Sequence, residues 1–370
     1  MDKKDYPQSL NLFLTGKCNL NCKYCFVSKK EIGKKTLSLE QIKKSIDALF
    51  KYPGKKKTIA FSGGEPTIEF DLIKEVYSYA RQKADEKKIV LDVSIVTNGT
   101  LLDQDKVDFF RKNKFIVKIS LDGDRKTHDA NRPFVQKKGA SSFDRVMENL
   151  HNIDRHDLKL AASMVVVPES ASELLKNIKR LQAEDFYYIE FYPDLYATWT
   201  PKQIKNFEKS LAEFSKFYKT TLKNKKSFKN SLLDSFTNDI GLGRMNNCGK
   251  INVGPQGGFY VCDKALSLNG KTKEKYLVGK MDVEKINDEK RKRILNRLRK
   301  GFFETVGQKC LECSYKDYCF CPLGNQIYFK ENGGDYFDSF CSISKAYIKN
   351  FLKLKKDLKY NPSFINLYKF

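Results

Sequence analysis

The stretch Ser9-Leu10-Asn11-Leu12-Phe13-Leu14-Thr15-Gly16-Lys17-Cys18-Asn19-Leu20-Asn21-Cys22-Lys23-Tyr24-Cys25 sets a short apolar strand directly before a loop with three cysteines. Cys18, Cys22 and Cys25 have the spacing C-x3-C-x2-C. Cysteine thiolates hold iron–sulfur clusters, and a [4Fe–4S] cube has four corners to ligate. A tight trio with no fourth Cys nearby implies a cube with one iron open, and an open iron can chelate a small molecule. The competing reading is a zinc site or three buried thiols. Zinc sites want four ligands, and no His lies close to this trio.

Working outward, short apolar runs alternate with amphipathic helices from Gln8 to about Leu195, the pattern of a parallel α/β sheet. Strands are expected at Ser9–Leu14, Thr58–Phe61, Ile89–Val96, Phe115–Ser120, Leu160–Val167 and Tyr187–Tyr192. Ser38 and Gln41 form a capping box that opens a helix with Leu39, Ile42, Ile46, Leu49 and Phe50 on one face. Further helices are expected through Leu72 and Tyr77, over Asp103–Asn113, Phe143–Ile153 and Ala171–Ala183. Six βα units in series predict a partial barrel, whose active site forms where loops converge at the C-terminal strand ends. The cysteine loop, Gly63-Gly64-Glu65, Thr97-Asn98-Gly99 and Ser120-Leu121-Asp122 all fall at such ends.

The 370 residues suffice for one large domain and a smaller one. No apolar run approaches the ~20 residues of a membrane span, and residues 1–5 lack the apolar core of a signal peptide. A cytoplasmic location is therefore expected, and in a reducing compartment ten Cys argue for metal ligation over disulfides. A formal charge of +24 favours acidic partners. The lysines are spread along the chain, which reads as a solvated surface more than as a nucleic-acid groove.

After Pro201 the pattern changes. A helix is expected to about Leu222, then a Lys- and Ser-rich stretch, and the final third holds seven Cys: Cys248, Cys262, Cys310, Cys313, Cys319, Cys321 and Cys341. A domain division is expected between residues 1–234 and 235–370.

The trio Cys18, Cys22 and Cys25, its aromatic flank Tyr24 and Phe26, and the run Phe61-Ser62-Gly63-Gly64-Glu65-Pro66 strongly resemble the radical S-adenosylmethionine (radical SAM) enzymes. The second set, Cys248, Gly257-x4-Cys262, Cys310-x2-Cys313-x5-Cys319-x-Cys321 and Cys341, resembles their SPASM extension, with one residue in the last gap where three are usual. The resemblance implies a partial (β/α)6 barrel followed by a small Cys-rich domain with two auxiliary clusters, three [4Fe–4S] clusters in all. Cys248, Cys262 and Cys321 would then hold the nearer auxiliary cluster, and Cys310, Cys313, Cys319 and Cys341 the outer one. A zinc ribbon on Cys310 and Cys313 is the rival reading. The resemblance also implies that SAM binds the open iron and yields a 5′-deoxyadenosyl radical. Tyr24 would contact the adenine, Ser120 the ribose or carboxylate, and Arg132 the carboxylate. Gly63 and Gly64 allow close backbone approach, Glu65 can accept from the SAM ammonium, and Asn98 is either a contact or a turn residue. Asp263, directly after Cys262, matches the position of a base in the sulfatase-maturing branch, where it would take a substrate proton.

Enzymes of this kind mostly modify peptides and proteins. The first expectation is a maturase of a ribosomally made peptide, forming a thioether or carbon–carbon crosslink. Only seventeen residues precede Cys18, so a separate peptide-recognition protein is expected. A flavodoxin or ferredoxin is the expected reductant. The second expectation is an anaerobic sulfatase-maturing enzyme, which turns a substrate Cys or Ser into formylglycine. Leu121-Asp122-Gly123 and Cys262-Asp263 favour it, whereas Ser62 and a set of seven rather than eight auxiliary Cys weigh against it. A zinc-bearing nucleic-acid binder is the remote alternative, but no helix reads as a basic face with interleaved aromatics.

Overall fold

The computed structural model describes residues 6–27, 33–136, 139–223, 229, 249–281, 286–306, 310, 312–319, 324–327, 336–359 and 361. Six strands alternate with helices along the first part: β1 (Ser9–Thr15), α1 (Leu39–Phe50), β2 (Lys56–Gly63), α2 (Phe70–Glu86), β3 (Val90–Thr97), α3 (Gln104–Lys112), β4 (Ile116–Ser120), α4 (Arg125–Asn131), α5 (Ser142–Asn152), β5 (Lys159–Val166), α6 (Leu174–Gln182) and β6 (Tyr188–Pro193). They are followed by α7 (Pro201–Lys223), β7 (Lys250–Gly254), β8 (Gly258–Tyr260), α8 (Gly270–Glu274), β9 (Leu277–Lys280), α9 (Asp288–Val306) and α10 (Tyr336–Leu358).

The six strands pair in parallel in the order β6-β5-β4-β3-β2-β1, the partial-barrel sheet that six βα units predict. Leu10, Leu12, Phe13 and Leu14 are all buried, as a strand covered on both faces requires. The capping box forms: Gln41 N–H donates to Ser38 Oγ at 3.2 Å and Ser38 N–H donates to Gln41 Oε1 at 3.0 Å. Phe61 stacks on Phe115 with centroids 6.0 Å apart, and Phe109 and Phe110 close around them, joining β2 to α3. Burial of each such ring contributes roughly 1.5–3 kcal/mol.

Two features lie outside the sequence pattern. Helix α4 is only seven residues long and polar, so it carries no apolar stripe; it forms because Asp124 caps it, accepting from Thr127 N–H at 2.9 Å. The second is that β7 pairs in parallel with β1, Ser9 opposite Lys250, and the sheet runs on through the antiparallel strands β8 and β9. The division expected between residues 234 and 235 lies outside the described residues. Helix α10 returns to the first part of the chain, where Tyr347 donates to the Phe191 carbonyl and stacks among Phe191, Phe207 and Phe351. Among the described residues no helix is long and apolar enough to cross a membrane.

Candidate active site

The C-terminal ends of β1 to β4 lie side by side, with Thr15 opposite Gly63 and Thr97 opposite Ile119. The loops they launch are tied to one another by named bonds. Gly64 N–H donates to Thr15 O at 2.7 Å and Glu65 N–H to Lys17 O at 2.8 Å, so the β2 turn grips the backbone just before Cys18. A Cβ on Gly64 would stand 2.1 Å from Lys17 O, and one on Gly63, where φ is +136°, 2.6 Å from Thr15 O. The glycines therefore serve close approach of one loop's backbone to the other's.

Glu65 is wholly buried, and its carboxylate already accepts four bonds from its own chain. Oε1 takes Thr67 N–H (3.0 Å), Thr67 Oγ1 (2.6 Å) and Thr97 Oγ1 (2.6 Å), while Oε2 takes Asn98 N–H (2.7 Å). Burial raises its pKa against the pull of these donors. Within the chain this side chain locks the β2 and β3 loops together, because a buried carboxylate needs its lone pairs filled. Asn98 is both turn and tie: its Oδ1 accepts from Thr100 N–H and Oγ1, and its Nδ2 donates to Asn19 Oδ1 at 2.8 Å. Asn19 Nδ2 in turn donates to Thr100 Oγ1 at 2.8 Å, bringing the cysteine loop against the β3 loop.

Asp122, which the sequence reading left among the strand-end residues, is the hub of the β4 side. Its Oδ1 accepts from Arg132 Nη2 and Val165 N–H, both at 3.1 Å, and its Oδ2 from Tyr24 Oη and from Asn131 Nδ2 at 3.2 Å. Burial pushes this carboxyl up, but Arg132, His128 and Tyr24 more than offset it and hold it below its usual range. Arg132 lies over the Tyr24 ring, 5.1 Å from the centroid, and is buried. His128 Nδ1 accepts the Asp122 N–H at 3.2 Å, and burial with Arg132 nearby lowers the imidazole to about 4, so it is neutral at pH 7.

Cys18, Cys22 and Cys25 form no disulfide among the described residues. Burial pushes Cys18 up to about 11, Leu20 N–H pulls the other way, and Glu65, Cys22 and Cys25 add to the rise. Such mutually repelling thiols suit a bound cation, which reverses the balance and favours thiolates. Among the described residues no three His, Cys, Asp or Glu side chains stand close enough to share one metal ion. Ligands on separate corners of a cube need not meet that closely. Arg132 Nε is buried without a hydrogen-bond partner, and Ser120 stands at the C-terminal end of β4.

On the second set, Cys262 Sγ lies 3.4 Å from Asp263 Oδ1. Lys264 sits beside them, its ammonium 3.9 Å from Asp263 Oδ2. That ammonium lies over the rings of Phe26 (4.1 Å) and Tyr196 (5.0 Å), so Asp263 and the cysteine loop face one region. Burial works against the Lys264 charge, but Asp263, Tyr196 and Cys262 hold its pKa above the ordinary value. Cys310 and Cys341 are both raised, first by burial and then by neighbours that include Cys313, which groups these three. Cys319 is half-buried at the end of the short 3-10 turn Lys316–Tyr318. Cys248 and Cys321 lie outside the described residues. Sequence reasoning missed Asn19, His128, Tyr196 and Lys264; only the polar character of the loops hinted at them.

Residues 12–181 match the Radical SAM superfamily. The chain is 26% identical over 364 residues to the cysteine-type anaerobic sulfatase-maturating enzyme of Clostridium novyi, covering 91% of this chain and 93% of that protein. The fold matches the solved structure of native anSMEcpe with bound AdoMet and Cp18Cys peptide, with TM-score 0.74, 21% identity, and 95% and 99% of the two chains covered. It also resembles Streptococcus suis SuiB bound to precursor peptide SuiA, with TM-score 0.57, 18% identity, and 88% and 74% covered.

Proposed function

The chain carries a radical SAM domain over residues 12–181 and is a radical SAM enzyme of the oxidoreductase type, and from that premise we propose that it oxidises a Cys or Ser side chain in a peptide or protein substrate. The observation that carries this reading is Asp263, placed 3.4 Å from the thiol of Cys262 and joined through Lys264 to the loop of the first three cysteines. The likeness to a sulfatase-maturating enzyme over nine-tenths of both chains supports the same reading.

Cys18, Cys22 and Cys25 would hold a [4Fe–4S] cluster, and SAM would lie against Tyr24, Gly63, Gly64, Glu65, Asn98, Ser120 and Arg132. When bound, this pair supplies a 5′-deoxyadenosyl radical that removes a hydrogen atom from carbon. Arg132 is fixed by its ion pair with Asp122 and lies over the Tyr24 ring. Tyr24, within the cysteine loop, is held by the same Asp122 and has Arg132 over its ring. Asp263 would accept the proton of the substrate thiol or hydroxyl; the remaining electron would pass to an auxiliary cluster as its acceptor, and with a Cys substrate water would replace the sulfur, which leaves as sulfide. Cys248, Cys262 and Cys321 would hold a nearer auxiliary cluster, and Cys310, Cys313, Cys319 and Cys341 an outer one.

A crosslinking maturase remains the second reading, favoured by Ser62 before the Gly-Gly-Glu run and by the seven auxiliary Cys. One experiment separates them. Reconstituted protein is incubated without oxygen with SAM, dithionite and peptides containing Cys or Ser, and the products are read by mass spectrometry. An aldehyde in place of the Cys or Ser side chain is expected. A loss of two hydrogens with sulfur retained would transfer the assignment to the crosslinking reading, and absence of 5′-deoxyadenosine would remove both.

A further inference from the structure

We propose that Lys264 is a positioning residue that clasps the loop of the first three cysteines to the loop bearing Asp263. The inference rests on the reading of Asp263 given above for its catalytic consequence, but the clasp itself does not depend on it.

Phe26 follows Cys25 directly, and Lys264 stands two residues after Cys262. The Lys264 ammonium lies 4.1 Å from the centroid of Phe26 and 5.0 Å from that of Tyr196, so one cation is held between a ring of the first loop and a ring beyond β6. Cation–π attraction strengthens as the cation loses water, and the Lys264 side chain is only 20% exposed. Phe26 is itself anchored, edge-on to Phe13 of β1 at 6.3 Å. Tyr196 is fixed by its hydroxyl, which donates to Asn325 Oδ1 at 3.0 Å. Asp263 Oδ2, 3.9 Å from the ammonium, supplies the opposite charge on the same loop. Lys264 thus joins the loop of the first three cysteines to the segment that follows Cys262, and the two rings it touches, Phe26 and Tyr196, are each anchored separately. A hydrogen atom and a proton must leave neighbouring atoms of one substrate residue in the proposed reaction. The two loops that remove them have to keep a fixed separation, and Lys264 supplies it.

The test uses reconstituted full-length protein carrying Lys264→Met, Lys264→Arg or Phe26→Leu. Methionine keeps the length and loses the charge; arginine keeps the cation and its stacking. Hydrogen exchange of the amides in residues 16–27 is measured first, with no substrate present. Lys264→Met and Phe26→Leu are each expected to speed exchange there about tenfold, the double variant no more than either single one, and Lys264→Arg to restore protection. Additive effects in the double variant, or equal exchange in Lys264→Met and wild type, would overturn the clasp. The second readout is the ratio of 5′-deoxyadenosine formed to peptide modified, taken with the substrate peptides above. It is expected to rise about tenfold in Lys264→Met and to return towards wild type in Lys264→Arg; an unchanged ratio alongside altered exchange would overturn the positioning role. Failure to modify any peptide would strike the proposed reaction and leave the exchange result standing.

Discussion

Arg132 and Asp122 form a buried ion pair, Nη2 to Oδ1 at 3.1 Å, with side chains 7% and 0% exposed. Tyr24 and Asn131 donate to the other carboxylate oxygen, so one aspartate joins the cysteine loop, the end of β4 and helix α4. Breaking such a pair on one side leaves an uncompensated buried charge, costing about 3–5 kcal/mol. Asp122→Asn and Arg132→Met should each destabilise the protein by about that amount in urea unfolding. The double variant should cost less than the sum, as a double-mutant cycle on contacting residues requires. The acid side follows by linkage: the folded carboxyl titrates below its usual 3.8, so its stabilisation is complete above that value and is lost as pH falls through the lower folded one. Asp122→Asn should flatten that part of the wild-type stability profile.

Gly64 is the position where the β2 turn meets the cysteine loop. An added methyl would lie 2.1 Å from a backbone oxygen, which cannot move as a flexible side chain does. Gly64→Ala should therefore cost roughly 1–3 kcal/mol and lower the iron bound per chain after anaerobic reconstitution. Glu75→Ala, at an exposed position of α2, is the control and should do neither. Equal iron content in the two variants would refute the close-approach role.

Glu65→Gln tests the four-bond carboxylate. The amide nitrogen would face donors that now point at an anion, and hydrogen bonds to charged groups contribute about 1.5–3 kcal/mol each. A loss of at least ~2 kcal/mol is expected, with faster exchange at the Asn98 amide, which donates to Oε2 at 2.7 Å. Unchanged exchange at Asn98 would contradict the assignment.

Lys57 is fully buried, with its ammonium held by Gln8 Oε1 at 2.9 Å and the carbonyls of Pro7 and Pro53. Burial lowers it from its usual 10.5 to about 8. Between those values the unfolded chain binds more protons, so stability should rise with pH from about 8 to 10.5, by about 1.4 kcal/mol per unit, and be constant on this account below 8. The difference between wild type and Lys57→Met, measured by denaturant unfolding across that window, should carry this slope. A difference independent of pH would show that Lys57 does not change its charge there.

The six-strand parallel sheet, the Ser38 cap and the clustering of four loops were legible because each follows from local pattern: continuous apolar runs, a Ser-x-x-Gln signature, and polar strand ends. The helix Arg125–Asn131 was not, since seven polar residues carry no periodicity. Glu65 shows the difference within one motif. Its place beside two glycines was readable, whereas its burial under Thr67, Thr97 and Asn98 depends on a strand 32 residues further on.

By itself the sequence determined the reactive inventory: ten thiols in two spaced groups, and a βα repeat that delivers its loops to one end of a sheet. Local spacing and periodicity are properties of the chain, so they need no partner to be read. Only the tertiary structure decided that Asp122 would be the hub of the β4 loops, that β7 would extend the sheet beyond β1, and that Lys264 would sit on Phe26. Those pairings join residues 10 to more than 200 positions apart, and they are set by burial and charge compensation in the folded interior, which no short stretch of sequence encodes.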